Sequence, residues 1–444
     1  MTLTIIIQLL IVLLLIFVGA RKGGIGLGIY GMVGVFLLVF VFGLPPGKVP
    51  IDVMLIIVSV ITATAMLEAA GGLDYLVQVA ARFLRKHPKR ITYYGPLATW
   101  FFCLVAGTAH TCYSLLPIIS EIATANKIRP ERPITVATIA ASLGITGSPM
   151  SAATATLLGA NYLGMHGIEL KDILIICIPS SFVAILVAAF VQNFVGKELE
   201  DDPEYQKRVK EGLIVPSQAT EAHEETSYSQ RAKYSVLAFL VGVVLVVLFG
   251  SIPSLRPSFE VNGVQARLGM PETIEIVMMS VAVLILLVSR VNVSKAVDGT
   301  IFSAGMVAVV AIFGIAWMGD TFFTGNLAFF QKHISFIVTQ YPYLFSVALF
   351  LMSIMLFSQA AAVCTLYPFG IELGISPLAL IAMFPAVNGY FFIPNYPTEV
   401  AAISFDRTGT TRIGKYVLNH SFQLAGFITT FVSIGLGYVI TLFY

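Results

Sequence analysis

Long apolar stretches, separated by short polar or basic segments, recur along the whole 444-residue chain. Most of them are close to the roughly 20 residues that an α-helix needs to cross a bilayer. The pattern therefore predicts an all-α polytopic membrane protein with ten spanning helices. The predicted spans cover about 3 to 19, 25 to 44, 51 to 70, 134 to 160, 173 to 195, 234 to 250, 273 to 289, 299 to 318, 377 to 404 and 417 to 441.

Two further apolar stretches are interrupted near the middle. The run from 91 to 126 breaks at 107–111, which reads Gly-Thr-Ala-His-Thr, and the run from 343 to 374 breaks at 358–362, which reads Ser-Gln-Ala-Ala-Ala. Each arm has about 15 residues, which is short for a crossing. Basic residues flank both ends of the first pair of arms. We therefore predict two re-entrant helical hairpins, the first entered from the inside and the second from the outside.

Two of the predicted spans contain residues that interrupt a helix. In the span 377–404, Pro394 and Pro397 each remove a backbone donor and clash with the preceding turn. The span 134–160 contains Thr-Gly-Ser-Pro-Met-Ser at 146–151. Backbone groups freed inside a bilayer must line a cavity or pack against protein. We predict that both helices break there and that the half-helix starting at Pro397 offers its positive N-terminus to an anion.

The order span, hairpin, broken span, span occurs twice, in 51–195 and in 299–444. The first copy begins outside and the second inside, so the sequence predicts inverted repeats 1 and 2. Broken helices at corresponding positions of inverted repeats indicate a midplane substrate site in a secondary transporter. The remaining domains are N-terminal scaffold helices in 1–50, a charge-mixed cytoplasmic linker in 196–233 and connecting scaffold helices in 234–298.

Composition and charge agree with a membrane protein. Hydrophobic residues make up 57% of the chain and charged residues 11%, and a net charge of +2 indicates no nucleic-acid partner. Most basic residues fall on one predicted face, which the positive-inside rule assigns to the cytoplasm, so both termini are expected outside. The apolar start is followed by Arg21 and Lys22, which favours a first span over a cleaved signal peptide. The four cysteines lack metal-ligand spacing, so we expect buried thiols and no metal or cofactor.

The tips and breaks are rich in Ser, Thr, Asn, Gln and His and contain no Lys or Arg. An anion there would be bound by helix N-termini and by hydroxyl or amide donors rather than by guanidinium groups. Two tips and two breaks provide two separated poles, which fits a molecule with a carboxylate at each end. The predicted substrate-binding residues are Thr108, His110, Thr111, Thr146, Gly147, Ser148, Ser151, Ser358, Gln359, Asn395 and Thr398.

Four ionisable residues are candidates for proton coupling. Glu68 and Asp320 occupy corresponding positions of the two repeats and serve either in helix capping or in a proton relay. His110 is either a neutral donor to substrate or a proton-coupling group, since imidazole titrates near physiological pH. Glu399 either caps the half-helix that follows the second break or binds a cation.

Six long strings of the sequence carry a family resemblance. They are G-A-R-K-G-G-I-G-L-G at 19–28, A-G-G-L-D-Y-L at 70–76, R-P-E-R-P at 129–133, D-D-P-E-Y-Q-K-R at 201–208, P-N-Y-P-T at 394–398 and F-D-R-T-G-T-T-R-I-G-K at 405–415. Together they resemble the anaerobic C4-dicarboxylate transporters of the Dcu family over essentially the whole chain, and the segment 201–208 is closer to the DcuA branch. The resemblance implies an inner-membrane carrier of fumarate, succinate, malate and aspartate that works by exchange or by cation-coupled uptake. Similarity to the larger ion-transporter superfamily implies a homodimer with elevator-type motion.

Two departures from the family pattern bear on coupling and specificity. The tips lack the Ser-Asn-Thr of sodium-binding members, which favours protons or plain exchange over sodium, and Asn395 stands where the pattern has Thr. Alternatives are a carrier for citrate or an amino acid, a channel, and a transporter that also senses substrate for a partner kinase. The chain has neither Gly-x-Ser-x-Gly nor His-Glu-x-x-His, which argues against an enzyme.

Overall fold

The structure, a computed structural model, describes residues 2–22, 24–159, 162–214, 229–261, 264–329, 340–356, 358–394, 396–414, 416 and 419–444. These residues form a predominantly helical protein. The α-helices, numbered in chain order, are α1 (Thr2–Lys22), α2 (Gly26–Phe36), α3 (Ile51–Ala69), α4 (Gly72–Lys86), α5 (Ile91–Ala106), α6 (Cys112–Ala125), α7 (Glu131–Thr146), α8 (Ala152–Leu157), α9 (Leu170–Gln192), α10 (Pro203–Lys210), α11 (Gln230–Ser251), α12 (Met270–Ser289), α13 (Val293–Val297), α14 (Thr300–Gly325), α15 (Leu344–Leu356), α16 (Gln359–Glu372), α17 (Pro377–Ala382), α18 (Pro397–Phe405) and α19 (Phe422–Thr441).

Tighter and wider turns extend or join several helices. A π-helical segment continues α2, and short 3₁₀ segments mark helix starts and bends. The π-helix is Leu37–Val41, and the 3₁₀ segments are Pro88–Arg90, Ala109–Thr111, Leu163–His166, Leu199–Asp201, Pro253–Leu255 and Phe384–Phe392.

Six helices in the described part of the chain are long and apolar enough to cross a membrane: α3, α9, α11, α12, α14 and α19. A seventh crossing is formed if Pro377–Phe392 and Pro397–Phe405, which meet at a bend of 58°, are taken as one span. The other predicted spans correspond to α1, to α2 with its π-helical extension, and to the interrupted pair α7 and α8. The chain is therefore a multi-pass α-helical membrane protein.

One described segment departs from the all-α prediction. Ser258–Val261 and Val264–Arg267 pair as a two-stranded antiparallel sheet, with Ser258 opposite Arg267. The alternation of Phe259 and Val261 with polar residues suits a short exposed ribbon. This hairpin caps the connection between α11 and α12.

Close helix packing relies on small residues where α2 crosses α14. A methyl group added at Gly28 would lie 2.0 Å from the carbonyl oxygen of Val310, and one at Gly314 would lie 1.9 Å from that of Gly28. Only a hydrogen at these positions lets the two backbones touch. Small residues perform the same function at helix crossings in membranes generally.

Helices α3 and α14 also hold each other's starting ends. The Glu68 carboxylate, near the end of α3, accepts from the Thr300 hydroxyl at 2.7 Å and from the Ile301 amide at 3.3 Å at the start of α14. Asp320, near the end of α14, accepts from the Lys48 amide at 2.6 Å, just before α3. Glu68 therefore binds a first-turn amide of α14, and Asp320 binds the segment just before α3.

The first part of the predicted linker is folded against the helices. Asp202 caps α10 by accepting from the amides of Glu204 and Tyr205, and it accepts from the buried Arg129 at 2.6 Å. Burial alone would raise the pKa of Asp202, but the hydrogen bonds from Arg129 and the two amides lower it below its usual value. Arg129 also binds Glu131 at 2.6 Å. The linker prediction for 215–228 lies outside the described residues.

Candidate functional site

The first hairpin tip rests directly on the first break. Gly107 has a positive φ of 69°, and a methyl group there would lie 2.6 Å from the carbonyl oxygen of Met150. Glycine meets both demands, since it adopts the left-handed conformation at little cost and has no side chain to collide. The first tip and the first break are therefore in contact at this glycine.

Thr108 organises the polar turn that follows. Its hydroxyl oxygen accepts from the His110 amide at 3.3 Å and lies 2.9 Å from Nδ1 of the same residue. The Thr111 hydroxyl donates to the Thr108 carbonyl at 3.2 Å. His110 is exposed, whereas Thr111 is buried. The His110 imidazole thus lies at the surface of the tip, and its hydrogen bonds with Thr108 fix its orientation.

The first break lies between the end of α7 at Thr146 and the start of α8 at Ala152. Ser148 accepts from the Met150 amide at 3.1 Å, and Ser151 accepts from the Thr154 amide at 3.1 Å. Thr146 donates to the Leu143 carbonyl at 2.7 Å. Together with Gly147, these residues are buried. These hydroxyl groups form hydrogen bonds with backbone groups that the interrupted helix leaves unpaired. They therefore stabilise the conformation of the break.

The second tip is anchored by two residues. Ser358 caps α16 by accepting from the Ala361 amide at 3.2 Å. The buried Gln359 side-chain amide donates to the Ser142 carbonyl at 2.8 Å, to the Tyr390 hydroxyl at 3.3 Å and to the Asn388 side chain. Its carbonyl oxygen Oε1 has no hydrogen-bond partner among the described residues. Gln359 thus joins the second tip both to the second break and to α7.

The second break is longer than the sequence indicated and begins before Pro394. After α17 the chain forms the 3₁₀ segment 384–392, with a kink at Asn388, and α18 starts only at Pro397. The Gly389 amide donates to the Ser353 hydroxyl at 2.9 Å, which fixes the kink against α15. Asn395 lies outside the described residues. The prediction of a break was right, but its first turning point is Asn388.

Among the described residues, Tyr396 makes no side-chain cap at the start of α18. Pro397 has no N–H and the Val400 amide donates to the Tyr396 carbonyl at 3.1 Å, so Thr398 and Glu399 supply the remaining first-turn amides. Thr398 is buried, and its hydroxyl donates to Oε2 of Glu399 at 2.8 Å. Glu399 is 0% exposed, and its other oxygen has no hydrogen-bond partner in the described part of the chain. Helix α18 packs against α6 of the first hairpin.

The described tips and breaks therefore form one connected region. Tip 1 contacts break 1 through Gly107, and tip 2 contacts break 2 and α7 through Gln359. Helix α18, which carries Glu399, packs against α6 of the first hairpin. Glu68 and Asp320 bind Thr300, Ile301 and Lys48 instead.

Three residues of this region were missed by the sequence analysis: Ser142, Asn388 and Tyr390. Asn388 and Gly389 form an Asn-Gly pair inside an apolar run, which is a turn signal that could have located the kink. Ser142 contributes a backbone carbonyl, which no side-chain pattern can predict. The ring of Tyr390 lies against that of Tyr396, with ring centroids 4.3 Å apart. From the sequence alone, an aromatic residue at this position cannot be distinguished from an ordinary packing residue.

A separate cavity of about 430 Å³ opens near the start of α7 and the loop before α19. Its walls include Glu131, Gln192, Arg412 and His420. None of the tip or break residues lines it.

A multi-pass helical bundle in which two interrupted helices and two polar turns meet is the architecture of a membrane transporter. The family model described as an anaerobic C4-dicarboxylate membrane transporter matches residues 4–444. The chain belongs to this family. It is a membrane transporter and not an enzyme.

Curated relatives extend over nearly the whole chain. The C4-dicarboxylate transporter DcuA of Helicobacter pylori (strain J99) is 40% identical over 98% of both chains. The anaerobic C4-dicarboxylate transporter DcuB of Escherichia coli O157:H7 is 39% identical over 99% of this chain and 98% of its own. DcuA of Escherichia coli (strain K12) is 39% identical over 98% of both chains.

Proposed function

We propose that this chain is a secondary transporter of C4-dicarboxylates such as fumarate, succinate, malate and aspartate, working across the inner membrane by exchange or by proton-coupled uptake. The family and the names of the relatives support the substrate class. The observation that carries the proposal is the connection of both tips and both breaks into one polar region inside an apolar bundle.

The chemistry of this region suits a dianion without fixed cations. The start of α18 offers the backbone amide of Thr398, and the Thr108 and Thr398 hydroxyl groups and the Gln359 side-chain amide belong to the same region. The first-break residues and Ser358 hold the backbone in the required shape. Because no Lys or Arg lies in the tips or breaks, the site binds through dipoles and can release substrate on either side.

Glu399 is our first candidate for the coupling proton. It is buried beside the start of α18, where a carboxylate of the substrate would bind, and one of its oxygens has no hydrogen-bond partner among the described residues. A charged Glu399 repels a dianion, so substrate and proton favour each other's binding. His110, exposed at the first tip, is the second candidate.

The expected architecture comprises ten spans and two re-entrant hairpins in inverted repeats, with both termini outside and a homodimer that moves as an elevator. The distribution of basic residues supports the orientation. The contacts of Glu68 and Asp320 support the repeat relationship, because each lies near the end of the first span of its repeat and binds backbone at the start of the other span or just before it. A partner sensor kinase would be an added role for the same carrier.

Counterflow in proteoliposomes tests this proposal. Vesicles loaded with unlabelled succinate should accumulate labelled succinate, fumarate, malate and aspartate, but not monocarboxylates or citrate. An imposed pH gradient should increase uptake, and a sodium gradient should not. Selective counterflow of citrate or a neutral amino acid would instead establish the alternative substrate classes, and flux without counterflow would indicate a channel.

A further inference from the structure

One face of helix α4 packs against the protein, and the opposite face is exposed. Ala80, Ala81 and Leu84 are buried, and the helix contacts α3, α6 and α11. It connects the span α3 to the first hairpin, which α5 and α6 form. Its position therefore joins the first span of repeat 1 to the base of the first hairpin.

The exposed face of α4 carries two large apolar side chains. Val79 and Phe83, one helical turn apart, are 45% and 46% exposed. The Phe83 ring lies 5.3 Å from that of His87 and 5.2 Å from that of Tyr94, measured between ring centroids. Apolar and aromatic side chains in this arrangement are typical of the boundary between acyl chains and head groups.

The same exposed face and the turn that follows it are strongly basic, because Arg82 and Lys86 lie within one helical turn of Val79 and Phe83. Five exposed basic residues fall within nine positions, and the only acidic residue in α4 is Asp74. Arg82 and Arg90 donate to the neutral Gln78 and Tyr94, so neither loses its charge. Arg85 pairs with Glu121 at 3.5 Å, and both groups are exposed, which makes the pair weak. The α4 basic face consists of Arg82, Arg85 and Lys86 in α4 and of Lys89 and Arg90 in the 3₁₀ segment after it.

We propose that α4 lies in the head-group layer and that the α4 basic face binds anionic phospholipid. A helix with one side on protein and an opposite side that mixes apolar and cationic side chains matches that layer, since long basic side chains reach the head groups while the apolar ones contact acyl chains. Each basic side chain near an anionic leaflet contributes roughly fivefold to local lipid binding. Bound lipid would fasten the base of the first hairpin to the membrane surface. The inference is independent of which substrate is carried.

Lipid contact at Val79 provides the test. The native cysteines are all buried, so a Val79→Cys variant can be labelled at one site with a fluorophore. The labelled protein is placed in nanodiscs of neutral phosphatidylcholine that contain a minor fraction of brominated phosphatidylglycerol or the same fraction of brominated phosphatidylcholine. Quenching by the anionic lipid is expected to exceed quenching by the neutral lipid at least about twofold.

Charge variants complete the experiment. Arg82→Gln, Lys86→Gln and Lys89→Gln together should equalise the two quenching values. The matched control removes three exposed lysines elsewhere, Lys207, Lys210 and Lys295, and should keep the difference. Equal quenching in the parent protein would overturn the proposal, as would a control that also loses the difference. Absence of quenching by either lipid would mean that α4 faces water and serves another partner, which overturns it too.

Discussion

The side-chain amide of Gln359 donates to the backbone carbonyl of Ser142 at 2.8 Å, across 217 positions of sequence. This bond joins the second hairpin tip to the helix that leads into the first break. The same amide donates to Asn388 and Tyr390 in the second break. One side chain thus connects elements of both halves of the chain, and its unbonded oxygen remains inside the polar region.

Gln359→Leu removes these donors while keeping a similar volume. We expect at least a tenfold loss of succinate counterflow and a loss of about 1–2 kcal/mol in unfolding free energy, since several buried partners lose their donor. Thermal unfolding measures the loss of stability independently of the loss of counterflow. Gln206→Leu, at an exposed position on α10, is the control and should change neither. Normal counterflow by the Gln359 variant would exclude this residue from the site.

Glu399→Gln keeps the shape of the side chain and removes its charge. We expect succinate exchange to continue, because no proton needs to be released, whereas an inward pH gradient should no longer drive accumulation. Labelled succinate uptake under an imposed gradient measures this directly. Glu372→Gln, at an exposed position, is the control and should remain gradient-driven. If the Glu399 variant accumulated succinate as the wild type does, Glu399 would not be the coupling group, and another group such as His110 would take that role.

Gly107→Ala tests the contact between the first tip and the first break. Positive φ alone costs a non-glycine residue roughly 1–2 kcal/mol. Gly167 also has a positive φ, 77°, but has nothing within 4 Å of an added methyl group, so Gly167→Ala measures this cost alone. The Gly107 variant should be less stable than the Gly167 variant and should also transport more slowly. Equal stability and equal rates in both variants would show that the tip does not press on Met150.

Asp202→Asn tests the fold of the linker through its pH dependence. The hydrogen bond from Arg129 lowers the pKa of Asp202, so the charged form stabilises the folded state above the unfolded pKa of about 3.9. That stabilisation is lost as the pH falls through the lower folded pKa. At pH 7 we expect the unfolding free energy of the variant to be about 1–3 kcal/mol lower than that of the wild type, and its unfolding temperature to be lower as well.

The difference between the Asp202 variant and the wild type should narrow below about pH 4. Asp201→Asn, at the exposed neighbouring position, should show no difference at either pH. An undiminished difference at low pH would mean that the charge of Asp202 is not what holds the linker.

Hydrophobic periodicity and prolines were sufficient to locate the interrupted elements. The Gly107 turn, the 147–151 break and the start of α18 at Pro397 lie where the sequence indicated, because each depends on local backbone chemistry. The roles of Glu68 and Asp320 could be narrowed to two alternatives from their positions alone. The structure adds their contacts with Thr300 and Lys48, and a role in a proton relay stays a prediction.

Other features depend on contacts between distant segments, which no local pattern encodes. The kink at Asn388 is fixed by Ser353 from another helix, and Gln359 reaches a backbone carbonyl on α7. The folding of the linker depends on Arg129, which belongs to a different part of the sequence. The mixed charges of the linker indicated solvent exposure, but Asp202 is buried in its ion pair with Arg129.

A cryo-electron microscopy map of the purified protein with saturating succinate tests the central claim most directly. The account predicts density for one dicarboxylate within hydrogen-bonding distance of Thr108, Gln359 and the first-turn amides of α18, with no Lys or Arg side chain touching it. Density for succinate at an arginine elsewhere, with the region between tips and breaks empty or closed by apolar side chains, would contradict it.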